Sequence, residues 1–274
     1  MRLLLILIAL ANAVTVFSQT GTVDYFAEGK KAANEKNFTL AVENFKKAAA
    51  QKPTDGEAWY EMGWCYNELA KYDEAIKALS NAKMYLKDQA RVFFESGYAN
   101  DFGGKTDDAV ADYKKCIELD QHYSAAYRYL ANIYNEIKKD YTTASSYYNQ
   151  FINYSRESEI SAKTWYKKGF CENETEQYED AVMSLKRAIG MDSKYSTAYT
   201  ELGYAYYALK RYDEALTELN TSAGLSDISA PNYYMGLCYI AKNQKTKARE
   251  MYQKLISLNS PDADKLLVKI NAMQ

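Results

Sequence analysis

The sequence predicts an all-α protein built from about seven helix–turn–helix repeats that stack into a solenoid. A small residue recurs at a spacing close to 34 residues, at Gly29, Gly63, Gly97, Ala131, Gly169, Gly203 and Gly236. An alanine about twelve residues later recurs at nearly the same spacing. With 3 prolines, 26% charged and 47% hydrophobic residues among 274, the composition suits a helical repeat protein.

The N-terminal residues predict a secretory signal peptide over residues 1–18. A short cationic start is followed by an apolar run over residues 3–10. Cleavage is favoured after Ser18, and cleavage after Ala13 is the alternative. Because Asn12 interrupts the apolar stretch, it is shorter than the ~20 residues that span a bilayer. We therefore expect an exported protein, periplasmic, envelope-associated or secreted, with no stable membrane insertion after cleavage.

The repeat array is predicted over residues 19–262. Its repeats are expected at about 22–55, 56–89, 90–123, 124–158, 162–195, 196–228 and 229–262. In the first helix of a repeat, apolar residues recur at i, i+3, i+4 and i+7, which places them on one helix face. The recurring glycine on that face predicts a close approach of two helix backbones, since a bulky side chain there would separate them.

The second helix of each repeat is predicted to begin after a short turn. In the second repeat, Asp73 and Glu74 place negative charge in the first helical turn, where it complements the helix dipole. Ala75, Leu79 and Ala82 then form the apolar stripe. The same pattern of acids followed by an apolar stripe predicts a second helix in the fifth and sixth repeats.

Two irregularities and a terminal helix depart from the regular spacing. The fourth repeat has one extra residue in its turn near residues 138–140, and residues 155–161 add about three more. Residues 263–274 carry apolar side chains at helical spacing. We expect this segment to form a helix that caps the last repeat.

These residues resemble the tetratricopeptide repeat, whose pattern runs W-x2-L-G-x2-Y, then A-x3-F-x2-A, and then P. The best match is in the second repeat, at Trp59, Met62, Gly63, Tyr66, Ala75, Leu79 and Ala82. The resemblance covers about residues 22–262 and implies a right-handed superhelix whose concave face, lined by first helices, binds partners. The chain departs from the pattern because only the first repeat ends in proline and Ala131 replaces glycine in the fourth.

The positions that the repeat pattern leaves free predict a partner-binding groove. Counted from the first residue of each repeat, positions five, nine and twelve lie beside the packing stripe of the first helix. Nine of the fourteen residues at positions five and nine are aromatic. Aromatic rings provide apolar contact, and neighbouring amides can hydrogen-bond an extended backbone. The predicted groove residues are Tyr60, Trp64, Asn67, Phe94, Tyr98, Arg128, Asn132, Tyr166, Phe170, Asn173, Tyr204, Tyr207 and Tyr233.

A packing interpretation of the same rings remains open, in which they contact neighbouring helices and stiffen the superhelix. Across positions two, five, nine, twelve and thirteen, four cationic residues stand against five acidic ones, so the groove is expected to be close to neutral. Some members of the tetratricopeptide repeat family bind acidic tails through lysine and asparagine at positions five and nine. Only Arg128 and Asn132 are similar to that arrangement, and in a single repeat, so this specificity is not expected here.

The composition argues against several other classes of function. Lys and Arg total 34 against 36 Asp and Glu, so no excess of basic residues favours nucleic-acid binding. The single histidine, His122, leaves little material for histidine-based metal sites or for nucleophilic catalysis. No glycine-rich phosphate loop is present. We expect no enzymatic activity, no cofactor and no metal.

The sequence therefore predicts a non-catalytic, exported scaffold that binds an extended peptide or a segment of a partner protein in an aromatic-lined concave groove. Two alternatives remain. The first is an architectural component of a cell-envelope assembly that uses its convex face. The second is a polysaccharide-binding groove, because tyrosine and tryptophan faces also stack on sugar rings.

Overall fold

The computed structural model describes residues 23–273, and the predicted signal peptide lies outside this range. The described residues form fifteen α-helices and one short 3-10 helix, with no strand. This confirms the predicted fold class, an all-α solenoid of helix–turn–helix repeats. We refer to each repeat as a hairpin, numbered one to seven along the chain.

The helices alternate between first and second helices of successive hairpins. The first helices are α1 (Tyr25–Asn34), α3 (Gly56–Glu68), α5 (Ala90–Phe102), α7 (Ser124–Glu136), α9 (Ala162–Glu174), α11 (Ser196–Ala208) and α13 (Ala230–Ala241). The second helices are α2 (Phe38–Gln51), α4 (Tyr72–Tyr85), α6 (Thr106–Leu119), α8 (Tyr141–Tyr154), α10 (Tyr178–Met191), α12 (Tyr212–Leu225) and α14 (Lys245–Ser257). A final helix, α15, covers Asp262–Asn271.

The described residues divide into two compact units, 23–112 and 113–273, which we describe separately as the N-terminal and the C-terminal unit. In the N-terminal unit, helices α1 to α5 each pack on the next, and the first helices α1, α3 and α5 also contact in sequence. In the C-terminal unit, α8 to α15 pack in the same order, and α9, α11 and α13 form a row of contacting first helices. Each unit thus presents a layer of first helices.

The recurring glycines lie where a first helix meets the helix packed on it. A Cβ atom added at Gly63 or Gly203 would lie 2.5 Å from the Cγ atom of Leu79 or Leu219 of the same hairpin. Such a distance is too short for two carbon atoms, so only glycine allows this approach. The 34-residue recurrence of glycine is therefore a consequence of helix packing within the hairpin.

The turn inside each hairpin uses a left-handed backbone residue. Hairpins one, two and six place Lys36, Ala70 and Lys210 there, with φ of 60°, 54° and 61°. In hairpin two the Lys71 amide then donates to the Tyr66 carbonyl, which closes the end of α3. The fourth hairpin keeps this residue as Lys139 but reaches it one position later, as the extra residue in its turn predicts.

The last hairpin is packed against α15. Ala263, Leu266 and Ile270 of this helix are buried, and the side chain of Leu266 fills the space above Gly236, 2.5 Å from where a Cβ would lie. In the other hairpins of the C-terminal unit with such a glycine, a leucine of the second helix fills that place. At α13, the terminal helix α15 therefore provides the leucine that the second helix provides in those hairpins.

All four cysteines are buried and unbridged. Burial raises the pKa of the Cys65, Cys116, Cys171 and Cys238 thiols to about 12. Because the thiolate is the reactive form, these side chains act as small apolar groups in the core.

Candidate partner-binding face

The predicted groove residues lie on contacting first helices within each unit. In the N-terminal unit, Tyr60, Trp64 and Asn67 lie on α3, and Phe94 and Tyr98 lie on α5. The other predicted residues lie on the C-terminal unit's first helices, at Arg128, Asn132, Tyr166, Phe170, Asn173, Tyr204, Tyr207 and Tyr233. All nine aromatic residues of this set are partly buried. We call these positions the first-helix face of each unit.

The aromatic residues at position nine make a recurring contact that the sequence analysis did not predict. Each ring packs edge-on against the aromatic residue that begins the second helix of the preceding hairpin. The pairs are Phe38–Trp64, Tyr72–Tyr98, Tyr141–Phe170 and Tyr178–Tyr204, with ring centroids 5.5, 6.4, 5.7 and 6.1 Å apart. These rings therefore join consecutive hairpins, in partial agreement with the packing interpretation.

The aromatic residues at position five have other partners. The guanidinium of Arg91 lies 4.4 Å from the centroid of the Tyr60 ring, and the ring of Tyr166 lies 4.9 Å from that of Tyr195. Burial raises the pKa of both the Tyr60 and the Tyr166 hydroxyl to about 12. At neutral pH these phenols are uncharged and can donate a hydrogen bond.

Two of the predicted amide anchors are used inside the fold. The Asn67 amide donates to the carbonyl of Glu95 at 3.1 Å and to its carboxylate at 2.8 Å. Asn173 makes the same two contacts with Glu201, at 3.1 and 2.9 Å. Both asparagines are buried. In each of them, the side-chain amide donates both of its hydrogen bonds to the next first helix. Their geometry supports a role in joining first helices instead of hydrogen-bonding a peptide backbone.

The acids that accept these bonds were not singled out from the sequence. The pKa of the Glu95 carboxyl is raised to about 7, chiefly by burial and also by the nearby Glu68 and Glu61, while the Asn67 hydrogen bond opposes the shift. Burial likewise raises the pKa of Glu201. Neither carboxylate has an ion-pair partner among residues 23–273. The sequence signal was a glutamate at position six after an asparagine at position twelve of the preceding repeat.

Arg128 and Asn132 line a cavity of about 260 Å³ in the C-terminal unit. The Asn132 carbonyl oxygen accepts hydrogen bonds from the Tyr148 hydroxyl at 2.9 Å and from the Lys167 ammonium at 2.8 Å. The exposed Arg128 guanidinium lies 5.7 Å from the Phe151 ring centroid. The cavity is polar and cationic, and it opens beside the irregular segment before α9.

The last hairpins extend the aromatic character of the face. Tyr204 lies 5.1 Å from Tyr234 between ring centroids, and Tyr233 contacts Tyr234 at 5.6 Å. Tyr207 lines an open cleft of about 530 Å³ together with Leu237 and residues of α15. This end of the C-terminal unit therefore offers aromatic and aliphatic surface.

The described residues hold no group of three or more His, Cys, Asp or Glu side chains that could bind a metal ion. Within the same range, no helix combines the length and apolar character needed to cross a membrane.

Three family models of the tetratricopeptide repeat match the chain. They cover residues 32–93 and 173–224, residues 90–123, and residues 232–260. The chain is 25% identical over 130 residues to Small glutamine-rich tetratricopeptide repeat-containing protein 2 of Saccharomyces cerevisiae, which is 47% of this chain and 35% of that protein. It is 28% identical over 104 residues to Heat shock protein STI1 of the same yeast, covering 38% and 18%. These matches span about a third or less of each relative.

Solved structures share the fold over a larger part of the chain. The C-terminal part of a TPR repeat-containing protein from Cytophaga hutchinsonii has a TM-score of 0.66 at 20% identity, covering 88% of this chain and 99% of that chain. YrrB, described as a TPR protein with an unusual peptide-binding site, has a TM-score of 0.62 at 24% identity, covering 70% and 97%. At these identities the likeness establishes the fold.

Proposed function

The chain belongs to the tetratricopeptide repeat family, and from this premise we propose that it is a non-catalytic, exported interaction scaffold. The first-helix face of either unit binds an extended peptide segment of a partner protein. The observation that carries this proposal is the recurrence of partly buried aromatic rings at positions five and nine of the first helices. Proteins of this family mediate protein–protein interaction, and the similar YrrB is described as binding a peptide.

The chemistry of the face suits a peptide. Partly buried rings lose little further conformational freedom on binding, and tyrosine and tryptophan are enriched at sites that dominate binding energy. The cationic cavity beside Arg128 adds a polar recess to this apolar surface. The contact residues that we propose are the nine rings with Arg128 and Asn132, and they exclude the two asparagines that bond Glu95 and Glu201.

Export is part of the same proposal and rests on the predicted signal peptide. When the full chain is expressed in a bacterium with a general secretory pathway, the protein outside the cytoplasm should begin at Gln19. Intact-mass spectrometry of that fraction measures the cleavage site. A chain found only in the cytoplasm with its N-terminal residues intact would contradict export and leave the binding proposal standing.

Peptide binding can be located with a photo-crosslinker. A random peptide library is selected on the chain without its predicted leader, residues 19–274, and selected peptides are then crosslinked from p-benzoylphenylalanine placed at single positions. Arg128 is an exposed position on the first-helix face, and Met183 is an exposed position on the second helix α10 of the same unit. We expect crosslinks from position 128 and few from position 183.

Two results would contradict this proposal. Crosslinks from position 183 with none from position 128 would favour binding by second helices and the architectural alternative. If no peptide is selected and a panel of envelope glycans quenches tryptophan fluorescence instead, the polysaccharide alternative would replace peptide binding.

A further inference from the structure

Position nine of one first helix touches position six of the next first helix. In the first such contact, the Lys30 ammonium donates to the Glu61 carboxylate at 2.7 Å. In two others, Lys167 donates to Asn132 at 2.8 Å, and the rings of Tyr204 and Tyr234 lie 5.1 Å apart. The lysine side chain is 46% exposed and the glutamate side chain 9% exposed, so a solvated lysine reaches a nearly buried acid.

At two other junctions between first helices, position six keeps the acid and position nine before it lacks the lysine. Glu95 in the N-terminal unit and Glu201 in the C-terminal unit occupy position six, the repeat position that Glu61 holds in the second repeat. Position nine before them holds an aromatic residue, Trp64 or Phe170. Each carboxylate accepts one amide hydrogen bond from an asparagine and forms no ion pair within residues 23–273.

We propose that Glu95 and Glu201 are each a recognition site for a lysine or arginine side chain of the bound peptide, which occupies the place that Lys30 takes at Glu61. This inference rests on the proposed function and names the chemistry of the partner, an extended segment with basic side chains.

The energetics favour this occupant. A partly buried carboxylate without a counter-charge is costly, and a cation that reaches it gains a charge-assisted hydrogen bond. At Glu61, the Lys30 side chain of the same chain provides this counter-charge. An acidic or neutral side chain would leave the carboxylates unpaired.

The charge of the site also predicts a pH dependence. The groups around Glu95 are Asn67, Tyr60 and the acids Glu61 and Glu68, and Glu61 is already paired with Lys30. Because burial raises the Glu95 pKa to about 7, the carboxyl is largely protonated in mildly acidic solution. A cation binds the ionised form, so its affinity at this site should rise as the pH passes through 7.

The test uses a probe that does not depend on any selected peptide. N-acetyl-lysine-N-methylamide is titrated against the 15N-labelled chain, with the uncharged N-acetyl-norleucine-N-methylamide as the matched control. The reporters are the side-chain amide signals of Asn67 and Asn173, which bond the two carboxylates. We expect the lysine probe to shift both signals at pH 8, with about tenfold weaker binding by the norleucine probe.

Isosteric variants assign each site. Glu95→Gln should abolish the shift at Asn67 and preserve the shift at Asn173, and Glu201→Gln should do the reverse. Glutamine keeps the shape and can still accept the asparagine bond, so folding is preserved and the negative charge alone is lost. Equal shifts by the two probes, no shift at either asparagine, or shifts that survive in the glutamine variants would each overturn the inference.

The outcome is separable from that of the proposed function. If peptides crosslink to position 128 but the lysine probe leaves both asparagine signals unchanged, peptide binding stands and recognition of basic side chains fails. If the probe binds at both glutamates but no peptide is selected, the cation sites stand and the peptide scaffold fails.

Discussion

At the scale of single residues, the carboxyl group of Glu95 couples charge to folding. Its pKa lies near 7 in the folded chain and at the ordinary value of 4.5 when solvated, because burial between α3 and α5 disfavours the charge. A carboxyl whose pKa is raised by folding makes its full contribution to stability at pH values below its pKa in the unfolded chain. That stabilisation is lost as the pH rises through about 7.

This gives a stability prediction for Glu95→Gln. Between pH 5 and pH 8 the wild type should lose about 2 kcal/mol of unfolding free energy that the glutamine variant retains. Urea unfolding of both chains at the two pH values measures the difference. Glu28→Gln, at an exposed position of α1, is the control and should follow the wild type. A Glu95→Gln chain that also follows the wild type would show that Glu95 ionises normally.

A residue type with a single packing role can be predicted from the sequence, whereas the partner of a polar group that has several possible partners cannot. The spacing of Gly63 and Gly203 identified close helix contacts because only glycine fits them. The position of Asn67 beside the aromatic residues predicts that it faces a ligand. That its amide bonds Glu95 depends on side-chain rotamers across two helices, which spacing does not determine.

At the scale of elements, the ring pairs between hairpins explain why aromatic residues begin so many second helices. The partner rings are 26 residues apart in Phe38–Trp64 and Tyr178–Tyr204, so the contact links neighbouring repeats. The joint occurrence of a ring at the start of one second helix and at position nine of the next repeat was a usable signal. Either position taken alone gives no sign of this contact.

Close packing inside a hairpin predicts opposite effects for two glycine substitutions in the C-terminal unit. Gly203→Ala places a methyl group against Leu219 and should destabilise the chain by about 1–3 kcal/mol. Gly224→Ala, near the end of α12, meets no atom within 4 Å and should be neutral or stabilise by up to about 1 kcal/mol. Thermal unfolding followed by circular dichroism compares the two. If both alanines are tolerated alike, the close approach is not required.

At the scale of the whole molecule, the number and order of hairpins follow from the 34-residue recurrence, because each hairpin repeats the same packing. The predicted boundaries between repeats remain predictions. The segment before α9 could be recognised as irregular from its length, but its 3-10 turn at Glu157–Glu159 could not, since no repeat provides a template for it.

A repeat array also needs an end that does not expose its core. Leu266 of α15 is fully buried against α13, so Leu266→Ala should cost about 2–5 kcal/mol and promote self-association. Val268, which is 69% exposed on the same helix, is the matched position, and Val268→Ala should change stability by less than about 0.5 kcal/mol. Light scattering after size-exclusion chromatography, with thermal unfolding, checks both. Equal behaviour of the two variants would contradict a capping role.

We propose that rings of the first-helix face bind a peptide as well as joining hairpins. Phe170→Ala and Tyr141→Ala remove the same ring pair from its two sides, so each should lower stability by a similar amount, about 1 kcal/mol beyond the lost area. The decisive measurement is the Kd of a peptide that crosslinks to position 128, determined by fluorescence anisotropy for both variants. We predict that Phe170→Ala weakens binding about tenfold or more while Tyr141→Ala leaves it nearly unchanged. Equal weakening by both variants, or by neither, would contradict the claim.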